Sequence, residues 1–420
     1  MKRLAYLATM TALAFGAPDS ARAYGVYSHS ELIDLVWGDS IRPLLIQRYP
    51  GITEAEITRA HAYAYAGCTI QDLGYYPFAN RFFSDLTHYV RSGDFVAALL
   101  RHASNADELA FAIGALSHYV GDVYGHSEAV NLSIGKSFPR LGRRYGPVIT
   151  FGQAEIAHGR VEMGFDMAQI GLQRFAPRAY RRNIGFRVAQ DLLDRAFRET
   201  YGLAVRSVIG PEGRALNTYR FSVRKLLPKF MQVQVLLYRR HFPNEKDNDS
   251  RSQYLQNVAK ADYASLPGSA HPEPGLGTHA LALVVRIVPK VGTLKILSLK
   301  APSPQTGDLY FSSMNTSVGR MRELMRRLRQ NPSKDLGLAN VDLDTGTRTP
   351  PGTYQLTDDT YARLLNALTR EPGIAVPPGL REDILLFYSD PSAPITTRND
   401  RRAWARVTNQ LNQLKLSAAP

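Results

Sequence analysis

Residues 106–126, ADELAFAIGALSHYVGDVYGH, read as one long helix that turns polar at its end. The stretch is rich in Ala and Leu, lacks proline, and places apolar residues three and four apart. His118, Asp122 and His126 then follow at intervals of four. That spacing puts them on one helix face, each step about 6 Å along the axis. A plain polar surface stripe is the alternative. The neighbours Tyr119, Val120, Val123 and Tyr124 are largely apolar, however, so the stripe reads as buried and partnered. Imidazole nitrogen and carboxylate oxygen bind zinc at about 2 Å, so His118 and Asp122 can share one ion. His126 lies about 12 Å from His118, too far to join them easily. A carboxylate has two oxygens and can bridge two ions, so the stripe hints at more than one metal.

Working outward, helix follows helix with short loops from Tyr24 to about Phe242, and alternating strand patterns are almost absent. The polar stretch FPNEKDNDSRSQ at 242–253 is a candidate boundary. Further helices follow a Pro/Gly-rich loop at 265–279, with a loop-rich stretch, VDLDTGTRTPPGTYQ, between two of them. The expectation is an all-α, multi-helix bundle at 24–242 with a mainly helical C-terminal region at 243–420. The basic stretch RMRELMRRLRQ at 320–330 is read first as a solvated helix face, and second as a contact for an anionic surface.

The chain has ten histidines, and the helical half brings more of them into the same reading. His29 follows Tyr24 by five residues, Asp72 sits at a Gly-bounded turn in GCTIQDLGYYP, and His88 lies in SDLTHYV. His158 and Glu162 repeat the four-residue spacing. With His118, Asp122 and His126, this gives five histidines, two aspartates and one glutamate that facing helices can gather into a bundle core. His61 and His102 are read as structural, and Cys68 as a small buried residue.

The first residues are MKRLAYLATMTALAFGAPDSARA. A basic start, an apolar middle and Ala-Arg-Ala at 21–23 have the form of a secretory signal peptide over residues 1–23, with Tyr24 as the new N-terminus. The expected location is therefore secreted or periplasmic. Cleavage leaves 48 basic and 36 acidic residues, a formal charge of +12. That balance favours anionic partners, including an anionic membrane surface touched peripherally. A single cysteine, Cys68, permits no internal disulfide. The most apolar later segment is interrupted by Arg286, Pro289 and Lys290, so no transmembrane helix is expected after cleavage.

Taken together, Tyr24, His29, Asp72, His88, His118-x-x-x-Asp122, His126 and His158-x-x-x-Glu162 resemble the ligand series of the zinc-dependent phospholipase C family. That family shares its fold with the single-strand-specific zinc nucleases. The resemblance covers roughly 24–205 and implies three zinc ions. It assigns Asp72, His88, His118 and Asp122 to one ion. The Tyr24 amino group and carbonyl, with His29 and Asp122, go to the second, and His126, His158 and Glu162 to the third. It makes Asp72 the candidate general base and phospholipid head groups, or another phosphodiester, the substrate. Two positions depart from the family. Tyr24 stands where Trp is usual, and Asp122 precedes His126 by four residues where six is usual. The shorter spacing resembles glycosylphosphatidylinositol-specific phospholipase D. Phospholipase D-like cleavage, single-strand nuclease activity and a non-catalytic zinc-binding envelope protein thus stand beside the phospholipase C-like reading.

Overall fold

The computed structural model describes residues 24–240, 242, 245, 247–263, 274–331, 335–370 and 375–416. The leader expected at 1–23 lies outside these, as do His241 and His271. Among the described residues the regular structure is helical, as the sequence pattern implies. The β contact present is an isolated antiparallel bridge between Asp342 and Thr347. The helices that matter here are α1 (Val26–Val36), α2 (Glu54–Gly67), α3 (Arg81–Tyr89), α4 (Ser92–His102), α5 (Ala106–Gly125) and α6 (Glu155–Gly171). They are followed by α7 (Arg178–Ile184), α8 (Gln190–Tyr201), α9 (Leu227–Tyr238), α10 (Asp249–Ala261), α11 (Pro304–Gln330) and α12 (Gln355–Arg370).

Local chemistry sets where several of these begin. Thr53 and Glu56 form a reciprocal capping box at the start of α2, the Glu56 amide reaching Thr53 Oγ1 at 3.3 Å and the Thr53 amide reaching Glu56 Oε2 at 2.9 Å. The Asn105 side chain accepts from the Glu108 amide at 3.0 Å and starts α5. Ser303 caps α11, with Pro304 in the first turn where its missing N–H costs nothing.

Small residues decide how closely α5 is embraced. A Cβ at Gly67 would lie 2.1 Å from the Phe111 carbonyl oxygen, and one at Gly114 would lie 2.3 Å from the Ala64 carbonyl oxygen. The pair lets α2 and α5 pack backbone to backbone. α5 also packs against α1, α4 and α11. The 27-residue α11 buries Tyr310, Phe311, Met314, Val318, Met321 and Leu324 in the same core as Leu32, Phe111 and Leu116. The C-terminal region thus shares its packing with the first helices. Within the basic stretch at 320–330, Met321, Leu324, Met325 and Leu328 are buried. Arg322 pairs outward with Asp39 at 2.9 Å and Arg320 with Glu323 at 2.6 Å.

α1 is tied to α6 by a buried carboxylate. Asp166 accepts from the amides of Tyr27 (3.1 Å) and Ser28 (2.8 Å) and from Ser28 Oγ (2.6 Å), capping the start of α1 from a neighbouring helix. A negative group at that end also suits the helix dipole. Gly25 leaves the space, since a Cβ there would lie 1.9 Å from Asp166 Oδ2. Asp166 stands four residues after Glu162 and eight after His158 on α6. The same face that carries those two residues therefore holds α1, and with it His29, in place.

Candidate metal centre

The eight side chains singled out in the sequence come from six elements and converge. His29 lies on α1, His88 on α3, His118 and Asp122 on α5, and His158 and Glu162 on α6. Asp72 sits in the 3₁₀ turn Gln71–Tyr75 that follows α2. His126 opens a π-helical turn, His126–Val130, where α5 ends. Such turns shift side chains off the regular stripe and occur often at functional sites. All eight are within 1% of full burial. They fall into three groups: His29, His118 and Asp122; Asp72, His88 and His118; and His126, His158 and Glu162.

In the first two groups the donor atoms face one another. Asp122 Oδ1 is 3.2 Å from His29 Nε2, while Oδ2 is 3.4 Å from His88 Nε2 and 3.1 Å from His118 Nε2. Asp72 Oδ1 is 3.6 Å from His88 Nε2 and 4.0 Å from His118 Nε2. Ligands held tetrahedrally at about 2.0–2.1 Å from zinc are about 3.3 Å apart, which is close to this spacing.

The tautomers test whether a cation fits. His88 Nδ1 donates to the Ser84 carbonyl at 2.8 Å, and His118 Nδ1 donates to the Cys68 carbonyl at 3.1 Å. Neutral imidazoles so arranged carry lone pairs on Nε2, and these two Nε2 atoms are 3.4 Å apart. Neither can then donate to the other, and the conflict is removed by a proton on His88 in the metal-free protein or by a metal cation between the two nitrogens. The close packing of α2 on α5 is what brings the Cys68 carbonyl to His118.

The third group follows the same rule. His158 Nε2 donates to the Ile149 carbonyl at 2.7 Å, leaving Nδ1 to face Glu162 Oε1 at 3.5 Å. His126 Nε2 lies 3.9 Å from the same oxygen. His126 Nε2, His158 Nδ1 and both Glu162 oxygens have no hydrogen-bond partner among the described residues. Four buried polar atoms in this state are costly unless something is bound between them. The donor set, two imidazoles and a carboxylate, suits zinc.

The C-terminal region supplies what sequence reading missed. His126 Nδ1 donates to the Leu343 carbonyl at 2.8 Å, so residue 343 fixes the tautomer of a residue 217 positions earlier. The Leu343 amide in turn donates to the His88 carbonyl at 3.1 Å. Asp344 is fully buried beside them, its Oδ2 accepting from Tyr89 (2.8 Å) and Tyr354 (2.6 Å) hydroxyls. Its carbonyl accepts from Asn131 Nδ2 at 2.8 Å, and its Oδ1 lies 3.9 Å from His126 Nδ1. Gly346 makes the close approach possible, with positive φ of 71° and a would-be Cβ 2.6 Å from the Val123 carbonyl. The loop DLDTG at 342–346 therefore lies against the end of α5 as a strap. A paired aspartate in a Gly turn was its available signal, but no periodicity links it to His126.

The electrostatics follow from crowding. Burial opposes the charge on Asp122, yet the imidazoles of His118, His29 and His88 hold its carboxyl well below the usual range. Burial lowers the pKa of His88, but Asp122, Asp72 and Asp344 outweigh it and push His88 up to about 9. His126 also reaches about 9: burial lowers it, and Glu162 and Asp344 raise it more. Asp342 is pushed up to about 8, by burial first and by Asp344 second.

The residues outside the three groups have other partners. Tyr24 is fully buried, its ring 5.8 Å from that of His29 and its hydroxyl 2.7 Å from Ser313 Oγ. Gly121 and Gly125 make room for it on α5. His61 pairs with Asp34 at 3.0 Å and stacks on Trp37, and His102 pairs with Glu199. Cys68 is buried, its thiol donating to the Tyr65 carbonyl at 3.3 Å. No helix among the described residues is long and apolar enough to cross a membrane.

Residues 32–210 match the family model described as zinc dependent phospholipase C. That span contains all of the three groups except His29, which lies three residues before it. No curated protein and no solved structure matches the chain.

Proposed function

We propose that this chain, whose residues 32–210 carry the zinc-dependent phospholipase C signature, is a zinc-dependent phosphodiesterase acting on phospholipids in the phospholipase C manner. The observation that carries the reading is Asp122, whose two oxygens face different histidines at 3.1–3.4 Å, the arrangement expected of a carboxylate shared between two ions. Three ions are expected. Asp72, His88, His118 and Asp122 would hold one, His29 and Asp122 with the backbone of Tyr24 would hold the second, and His126, His158 and Glu162 would hold the third. Zinc bound there would supply charge to neutralise phosphate oxygens, to lower the pKa of a water and to stabilise the leaving oxygen.

The protein's own groups do the rest. The carbonyls of Ser84, Cys68, Ile149 and Leu343 lock four imidazoles in the tautomer that offers the inner nitrogen. The Asp72 carboxylate orients the attacking water and takes its proton. Burial of every ligand excludes bulk water and strengthens each charge interaction within the centre. For Tyr24 to ligate through its amine, the Ala23–Tyr24 bond must be cut, which agrees with a secretory leader at 1–23 and a secreted or periplasmic site of action. A phospholipase D-like outcome is favoured by one observation, the four-residue interval from Asp122 to His126. Product analysis on mixed phospholipids decides. Diacylglycerol and a phosphorylated head group support the proposal, whereas phosphatidate and a free head group support the D-like cleavage. Zinc-loaded protein that releases neither refutes both.

A further inference from the structure

Away from the metal centre, two adjoining cavities share Arg178, Arg181 and Pro228. The larger, about 490 Å³, opens between α7 and the turn Ser222–Leu226. Its rim carries Arg178, Arg181, Arg182, Arg224 and Lys225, and no acidic residue lines it among those described. Arg181 is held in place, its guanidinium 4.5 Å from the Tyr27 ring and 4.8 Å from the Phe175 ring, while its Nε donates to the Ala176 carbonyl at 3.3 Å. The smaller cavity, about 260 Å³, runs between the end of α6 and α9 and is walled by Tyr27, Ile170, Phe175, Met231, Val235 and Leu236. It too has no described acidic residue. None of the eight candidate metal ligands lines either cavity.

A cationic mouth continuous with an apolar trough matches an anionic amphiphile. Five cations clustered without described acids create a local positive field that attracts phosphate. The trough falls below the several hundred Å³ of a complete small-molecule site, so it takes part of a chain and not a whole ligand. We propose that these cavities form a docking site for an anionic phospholipid, its phosphate on Arg178, Arg182 and Lys225 and the start of an acyl chain along Met231 and Val235. The formal charge of +12 on the chain from Tyr24 onward supplies the longer-range attraction to the same surface. The site holds the protein on an anionic bilayer and is separate from the centre that hydrolyses lipid. It therefore stands or falls independently of the catalytic reading.

The experiment uses zinc-loaded protein beginning at Tyr24 and co-sedimentation with vesicles of phosphatidylcholine, alone or doped with phosphatidylglycerol. Wild type is expected to prefer the doped vesicles. Each charge removed from the mouth costs about five-fold in binding, so Arg178→Gln with Arg182→Gln loses about twenty-five-fold. Arg402→Gln with Arg406→Gln removes the same charge from the exposed helix Arg401–Leu416 and serves as the control. Val235→Asn tests the trough and should weaken vesicle binding while leaving inorganic phosphate binding intact. Hydrolysis of a water-soluble phosphodiester should be unchanged in all three variants. Equal losses in the mouth and control variants would show only non-specific charge attraction and overturn the site. Inorganic phosphate bound at the mouth, with no preference for doped vesicles, would overturn the lipid and leave a free-anion site.

Discussion

Replacing Gly67 by alanine tests whether backbone packing of α2 on α5 sets the metal centre. The added Cβ would sit 2.1 Å from the Phe111 carbonyl oxygen and face the Gly114 Cα at 3.1 Å. Both obstacles are backbone, so no rotamer change relieves them. An ordinary contact needs more than about 3 Å, and the helices must part by about 1 Å. The Cys68 carbonyl, one residue on, moves with α2, and its 3.1 Å bond from His118 Nδ1 lengthens beyond hydrogen-bond range. Overpacking costs about 1–3 kcal/mol and the lost bond about 1 kcal/mol, against about 1 kcal/mol gained in helix propensity. The net loss is about 2 kcal/mol. Zinc affinity should fall about 10–100-fold, as when a supporting partner of a ligating histidine is removed. Gly319→Ala is the matched control. Gly319 is exposed within α11 with nothing near its would-be Cβ, and there the substitution should gain up to about 1 kcal/mol. Chemical denaturation of the metal-free proteins and competition against a chromogenic chelator measure both quantities. If Gly67→Ala is as stable as Gly319→Ala and binds zinc like wild type, close packing does not hold His118 in place.

Asp122→Asn should lose more zinc than His126→Ala, because the two oxygens of Asp122 face different histidines and are expected to serve two ions; elemental analysis of the purified variants measures this, and equal losses count against sharing. Asp72→Asn should lower phosphodiester hydrolysis about a hundred- to ten-thousand-fold. Metal content is measured on the same sample, and a fully loaded variant working at near wild-type rate removes Asp72 from the role of base. In metal-free protein His88 and His126 titrate at about 9, above the unfolded value of about 6.5. Their contribution to stability is complete below about pH 6.5 and disappears as pH rises through about 9, and zinc uptake must displace their protons. Apparent zinc affinity should rise up to about tenfold per pH unit for each proton displaced, and a profile flat between pH 6 and 8 would refute the protonated state. An uncleaved precursor should be poorly active, since an amide nitrogen at Tyr24 is a very poor zinc ligand; equal activity of both forms excludes the N-terminal ligand.

The helix ends and the site were legible where the signal was local. Four-residue spacing marked His118–Asp122 and His158–Glu162, and each pair does lie 3.1–3.5 Å apart. His126 was placed by the same periodicity on a regular helix, whereas the chain opens a π-helical turn there and aims it at Glu162. What joins the groups was not legible. The Leu343 carbonyl, the Asp344 carboxylate and the Asp166 cap on α1 depend on contacts between segments more than 130 residues apart, with no shared pattern. Backbone carbonyls are also invisible to any reading by residue type, yet they set four of the imidazole tautomers. The loop at 342–346 read only as a Gly-containing connection because its role comes from where α5 happens to end.

The link from His126 to Leu343 also has a consequence for timing. Every side chain in the three groups has been synthesised by residue 162, but the oxygen that fixes His126 belongs to Leu343, 181 residues later. At about 5–20 residues per second, that interval is on the order of 10–40 s. During it the growing chain carries a full set of donors with His126 still free to choose its tautomer and the strap not yet laid over α5. The centre is therefore finished late, by one of the last parts of the protein to be made.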